Sequence, residues 1–573
     1  MQFKRLVRLK GKMMLKYLTN AAIGICLLYL LSACSTNTIV TQATSLSENE
    51  GLFVVEVVSN STNASEVFSS LSIWSDAEKK VYYAASEEEL GPDNKEMKST
   101  AYFVAKLPAG KYWIDSAIYH KFEDYGTHYR NTTLTIPMHE QLGSFEVAAG
   151  EITDLGTIAY IPAPTEESPR RFYLALLDNE NQFEATLKHK FPKLSARYLP
   201  NKTRSWHNTS PLLKNRLINL FIKKNIRQIN SFFESNDGEI YVGGRLGQIF
   251  ARKIDGRWIS FDTGSTREIT AVTKSASGDI HAAGENVLLV SRTNGASWSN
   301  LPLPSIKGRF LDIFNSPEDD LLLLIHAHKG IASTEYKILK LNQNGKSWDE
   351  EYVFSTDDKM LSKVEIPKNY AKGYFPNLRY AVNGNHYELG KNENITYPSI
   401  PGIRSPKYLP DGTLYGHVYS FIQFSDGIAG TKTGKLSDNV GIVFYDYKSG
   451  NKGLVGKWSK KQGYWVIDSA FVNRDQGWVL LGKNTRNRKK QEREYLYYTS
   501  NGGKSWKLMS RPTNIIDRLY VSSDGTLFIV DSDTFGDIYS SRDFGKSWKQ
   551  ERASNGIQKL FDMIEKRRKA ANL

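Results

Sequence analysis

Cysteine is almost missing from this chain. Of 573 residues only Cys26 and Cys34 carry a thiol, both near the start. If the first 33 residues are removed and Cys34 is modified, the rest can form no disulfide, cysteine metal site or cysteine nucleophile. Core burial must then supply its stability. Catalytic signatures are missing as well: there is no G-x-S-x-G elbow, no H-E-x-x-H and no P-loop. No apolar run is long enough for a stable membrane anchor. Ala21 to Leu31 is the candidate, and a span takes about 20 apolar residues.

Acid is absent from the first 33 residues, which hold Lys4, Arg5, Arg8, Lys10, Lys12 and Lys16. A basic head, a short apolar run and Leu31-Ser32-Ala33-Cys34 follow one another. Together they resemble the bacterial lipoprotein signal, against the alternative of an uncleaved anchor with an incidental cysteine. The resemblance implies removal of 1–33 and lipidation of Cys34. Ser35 in place of an aspartate implies sorting to the outer membrane. The membrane is thus an expected partner through the lipid, and export makes nucleic acid an unexpected one.

The formal charge is +14, and taking away six positive charges with residues 1–33 leaves +8. That excess suits anionic envelope surfaces or merely scattered lysines. Two basic clusters stand out: Arg486, Arg488, Lys489 and Lys490 with Arg493 beyond, and Lys566 to Lys569 in the tail 556–573.

Residues 34–49 are small, polar and aperiodic, and read as a flexible tether. Residues 50–162 alternate short β-branched and aromatic runs with turns, as in Phe53 to Ser59 and Ala101 to Leu107. Leu107-Pro-Ala-Gly-Lys-Tyr and Phe145 to Ile158 resemble the prealbumin-like or immunoglobulin-like sandwich modules of bacterial surface proteins. That likeness implies a spacer or binding module. Residues 163–225 read as a partly helical connector, with helical spacing over 181–191 and 210–224.

From 226 to 555 the chain repeats. Gly238 and Gly278 are 40 residues apart, and so are Trp258 and Trp298. Units ending at Trp348, Trp458, Trp506 and Trp548 share the same grammar. Val382-Asn-Gly384 marks a degenerate copy, and Leu409-Pro-Asp-Gly412 opens the unit that ends at Trp458. Seven units of four strands predict an all-β fold: a seven-bladed β-propeller behind a small β-sandwich and a short helical connector. Shorter solenoid repeats or tandem sandwiches fit the period less well.

The phrase Ser541-Arg-Asp543-Phe-Gly545-Lys-Ser-Trp548 resembles the Asp-box (BNR repeat) turn. It recurs with Asn501, Gly503 and Trp506; with Ser291, Gly295 and Trp298; and with Gly345 and Trp348. The acid becomes Asn501, Thr293 or Gln343. A turn tolerates that change and a catalyst does not, so the box reads as structural. Gly244-Arg-Leu-Gly247-Gln-Ile-Phe is similar to the subfamily of photosystem II assembly propellers and sortilin-type ectodomains, which are binding proteins.

A sialidase resemblance would imply an R-I-P segment and three convergent arginines. No R-I-P occurs, and single arginines such as Arg245 do not by themselves converge. Asp319-Asp320 and Glu350-Glu351 read as loop charges, and His326 with His328 lacks a third ligand. The sequence therefore predicts no catalytic residue, no metal and no cofactor. It predicts a non-catalytic envelope lipoprotein that binds a protein or envelope-glycan partner in assembly, adhesion or toxin immunity. The alternative is a glycoside hydrolase of the sialidase-like class.

Overall fold

The computed structural model describes most of residues 44–162 and the pieces 172–177, 192–198 and 203–204. It also describes nearly all of 229–361, separate strands between 407 and 446, and most of 452–553. Cys34, Arg486 to Lys490, Val382-Asn-Gly384 and both expected helices of the connector lie outside the described residues.

The first module is two facing sheets. One contains β1 (Glu50–Ser59) and β4 (Thr100–Pro108), and also β8 (Ile152–Pro162). The other contains β2 (Glu66–Ser75), β3 (Lys80–Ala85), β5 (Gly110–Asp124), β6 (Tyr129–Pro137) and β7 (Ser144–Val147). Alternation along Leu52-Phe-Val-Val-Glu-Val-Val58 sends Phe53, Val55 and Val57 between the sheets, against Leu71, Ile73, Phe103 and Phe145. Leu52 and Val54 face the other way, under Leu194 and Tyr198 of a short helix α1 (Pro192–Tyr198). β1 is therefore buried on both faces.

Two boundaries shift. Strand β9 (Phe172–Leu177) pairs antiparallel with β8, and β10 (Thr203–Arg204) pairs parallel with it. The sandwich sheet thus continues into the stretch expected to be connector, because β8 still has a free edge to pair. The tether is also not wholly free: Val40 and Leu46 pack beside α1, and the Leu46 amide donates to the Tyr198 hydroxyl at 3.2 Å.

The second module is a succession of antiparallel sheets, each made from consecutive strands. They span residues 229–262, 269–300, 308–361, 421–459, 464–508 and 516–552; the third has five strands and the others four. A two-stranded ladder, Lys407–Tyr408 with Leu414–Tyr415, lies between the third and the fourth. The sheet ending at Ser459 starts from its own strand, Phe421–Phe424. The expected opening of that unit, Leu409-Pro-Asp-Gly412, lies outside the described residues.

The innermost strands of the first three sheets lie side by side, as do those of the last three, and the first of all, Ile229–Glu234, touches the last, Ile516–Val521. Ile229, Val242 and Phe250 of the first sheet share a core with Phe528, Val530 and Ile538 of the last. Phe232 stacks on Tyr520 at 4.8 Å, and Glu234 accepts the Ser523 amide at 2.7 Å. Each sheet is built from one continuous stretch, so the first and last meet through side-chain packing. The fold is an all-β propeller, as expected.

The inner strands of five sheets carry a register shift at one equivalent place, for example between Ile269 and Ala271 and between Val466 and Asp468. A bulge sharpens strand twist, which a radial blade needs. Buried Asp468 uses its site beside the bulge to accept the Leu519 amide of the next sheet at 2.9 Å.

Candidate functional site

Because the strands alternate in direction, the loops fall on two faces. First-to-second and third-to-fourth strand loops share one face, which carries the boxes. Second-to-third loops and the links between sheets share the other. The two faces hold the side chains singled out above.

On the box face, buried Ser541 accepts the Gly545 amide at 2.8 Å. Asp543 Oδ1 accepts the Ser541 hydroxyl at 2.8 Å and the Ser547 amide at 2.9 Å, while Oδ2 accepts the Ser547 hydroxyl at 2.6 Å. Those bonds, the Ser547 hydroxyl first, hold the Asp543 carboxyl well below the usual carboxylate range. Asn501 does the same work: its oxygen accepts the Ser505 amide at 3.0 Å and its nitrogen donates to the Ser505 hydroxyl at 2.8 Å. The Gly503 amide donates to Thr499. In the second sheet Gly295 donates to Ser291 at 2.8 Å, and the Thr293 hydroxyl takes the Ser297 amide.

The copy at 341–348 departs from expectation. Asn342, not Gln343, caps the turn: its side-chain oxygen accepts the Lys346 and Ser347 amides at 3.1 and 3.3 Å. Leu341 ends its strand where Ser291, Thr499 and Ser541 end theirs but brings no hydroxyl, and Asn342 beside it supplies the cap, with the Gly345 amide on its carbonyl.

The box tryptophans are half-buried, and each reaches the preceding sheet. Trp298 meets Phe261 edge-on, and Trp506 meets Trp458 at 5.5 Å. The Trp348 N–H donates to the Pro302 carbonyl at 2.7 Å, and that of Trp548 donates to the Ser510 carbonyl. The box is therefore a clasp between neighbouring blades as well as a turn lock. Gly295 sits at φ 87, and a Cβ there would lie 2.2 Å from the Phe261 ring.

The other face gathers what the sequence reading missed. Arg267, in the link between the first and second sheets, meets Glu56 of β1 at 3.2 Å, with side-chain exposures of 2% and 3%. Glu56 also accepts the Thr157 hydroxyl at 2.6 Å and the Thr266 hydroxyl at 3.4 Å. The Arg267 guanidinium lies 4.4 Å from the Tyr102 ring centre. Nearby Arg245 donates to the Ser59 carbonyl at 3.3 Å. Here the chain folds back tightly: the Gly247 amide donates to Arg267 O, and a Cβ on Gly247 would meet Ser265 O at 1.9 Å. The sandwich thus docks on the propeller face opposite the boxes, over its first two sheets. The legible signal was Glu56 itself, the lone charge in an apolar strand. Arg245 and Arg267 do come together, but on the sandwich's own groups.

Other candidates are ordinary. Asp320 pairs with Lys340 and Glu350 with Lys337, each at 2.6 Å. Glu350 is a strand residue, not a loop charge. Arg493 opens the strand Arg493–Thr499 opposite Lys483, so its backbone belongs to the sheet and not to a loop. His326 and His328 stand at alternate positions of one strand. Among the described residues no cluster of potential metal ligands occurs, and no helix is long and apolar enough to cross a membrane.

No family model matches the chain, and no curated protein does. Solved structures similar to it include YCF48 bound to D1 peptide, at 16% identity over 53% of this chain and 90% of that one, TM-score 0.33. An α-L-arabinanase of Penicillium chrysogenum complexed with arabinobiose is 11% identical over 49% and 79%, TM-score 0.28. The propeller domain of the Trilobed protease of Pyrococcus furiosus is 10% identical over 58% and 99%, TM-score 0.32. Likenesses this distant, to a non-enzymatic propeller and to hydrolases alike, leave function to the chain's own residues.

Proposed function

We propose that this chain is a non-catalytic envelope lipoprotein, anchored through Cys34, whose seven-bladed propeller binds a protein or glycan partner at the outer membrane. What supports the non-catalytic part is one observation. Among the described residues, the arginines and the box carboxylate singled out above are already engaged within the fold. Arg267 and Arg245 are taken up by Glu56 and the Ser59 carbonyl. Asp543, Asn501 and Thr293 bond their own turns. A sialidase-like reading needs arginines free to grip a carboxylate and paired carboxylates facing across a substrate.

Two measurements test the proposal. The purified chain should turn over no sialoside, arabinan or β-glucan reporter, and turnover of any of them would overturn it. Cys34→Ser should abolish labelled-palmitate uptake and release the chain from the membrane fraction. A variant still membrane-bound would remove the lipoprotein part.

A further inference from the structure

The outer face of the sandwich sheet carries an aromatic surface that, among the described residues, neither the propeller nor the core covers. On β2, Leu71 and Ile73 point into the core; on β5, Tyr112 and Ile114 do. Alternation therefore sends Trp74 and Trp113 outward, and the two stand directly opposite each other in register. Tyr83 of β3, opposite Ser72, lies on the same face and is 43% exposed.

The two indoles are fixed by one carboxylate. Trp74 Nε1 donates to Asp76 Oδ1 at 3.0 Å, and Trp113 Nε1 donates to Asp76 Oδ2 at 2.7 Å. The Trp113 bond first and the Trp74 bond second lower the Asp76 pKa, so the group that holds the rings stays ionised. An outward tryptophan is ordinarily free to turn. Here both ring edges are tied down before any ligand arrives, so little ordering entropy remains to be lost on binding. Both rings keep part of their surface exposed.

We propose that Trp74, Trp113 and Tyr83 form a sugar-binding platform that takes the C–H face of an uncharged pyranose in an envelope glycan. Aromatic faces offer apolar area at fixed geometry, and a glycan site adds polar groups at the rim. Asp76 and Lys111, whose ammonium lies 5.8 Å from the Trp113 ring centre, can serve that rim. Charge complementarity selects a neutral ligand. Among the described residues on and beside this face Lys79, Lys80 and Lys111 are balanced by Asp76, Glu78 and Glu146, which gives a polyanion no cationic patch to settle on. The choice of a glycan as the ligand rests on the binding reading above; the site itself is separate from the propeller.

The test titrates the intact chain with neutral β-linked oligosaccharides of glucose and of N-acetylglucosamine, following tryptophan fluorescence and calorimetry. Saturable binding that ignores salt is expected. Trp113→Ala should weaken it by about tenfold, the size of one aromatic stack. Tyr83→Ser, at an exposed position where folding is not at risk, should weaken it by less. Asp76→Asn should also weaken binding, because an amide can accept from only one of the two indoles and the other ring is released. Binding unaltered in both Trp113→Ala and Tyr83→Ser would overturn the platform, as would no binding to any of these sugars or binding to anionic polymers alone. Hydrolysis of a bound sugar with the platform effects intact would overturn the non-catalytic reading and leave the platform standing.

Discussion

Two carboxylates in this molecule each collect several hydrogen bonds or ion contacts, and they stand on opposite faces of the propeller. Glu56 is buried beneath the sandwich against Arg267; Asp543 sits on an exposed box turn. Their bonding looks alike, but their surroundings make the energetics differ. In water Asp543 and its turn amides would each find other partners, so the net gain is small. In the interface Arg267 has no water to turn to, and removing its partner leaves a desolvated charge. The difference teaches that a hydrogen-bonded acid marks a strong joint only where solvent is excluded.

Breaking the buried member should have the largest effect. Glu56→Gln should lower unfolding stability by about 3–5 kcal/mol, the usual cost of orphaning one half of a buried pair. Removing both charges with Glu56→Gln plus Arg267→Met should recover much of that loss. Chemical denaturation of the single and double variants checks both statements. A double variant no better than the single one would mean that packing around Tyr102, not charge, holds the joint.

Next come the tryptophan clasps. Trp506→Ala should cost about 3 kcal/mol, the lower end for an aromatic truncation, because the ring is only half-buried. Loss of its contact with Trp458 should also loosen the fourth and fifth complete sheets together. Hydrogen exchange in 452–459 and 493–499 reads this directly. Exchange rising on one side only would contradict an inter-blade role.

Asn342→Ala should cost about 1 kcal/mol, since it removes an exposed acceptor of two amides. Gln343→Ala should cost nothing measurable. A larger effect at Gln343 would return the cap to the position expected from the repeat.

The smallest effect belongs to Asp543. Asp543→Asn should be nearly silent at neutral pH, since Asn501 already performs the same task in the fifth complete sheet. The folded-state pKa of Asp543 lies below its ordinary value, so its contribution is present above that value. It is lost as pH falls through and beneath the ordinary carboxylate range. The gap between wild type and Asp543→Ala in thermal melts should therefore be constant from neutral pH to mildly acidic pH and close only in strong acid. A gap already closing near pH 6 would be at odds with these bonds.

The box and its relatives were legible because their chemistry is local. Ser541, Asp543, Gly545 and Ser547 bond one another within seven residues, so spacing alone reveals the turn. The same holds for Ser235 and Gly238, where the glycine amide returns to the Ser235 carbonyl at 2.8 Å. What spacing misled was the cap at 341–348, where Leu341 lacks the hydroxyl of the other copies and Asn342, not Gln343, is the acceptor.

By itself the sequence determined the all-β class, the radial repeat and the turn chemistry. These follow from side chains acting on their own backbone and from apolar periods along single strands. Only the tertiary structure decided that β8 recruits β9 and β10, that the first and last sheets meet by packing Phe232 on Tyr520, and that the sandwich sits on the face opposite the boxes. It also decided that Arg245 and Arg267 converge on the sandwich. Each of these joins residues tens to hundreds of positions apart through shape and desolvation, and no local pattern in the chain encodes that meeting.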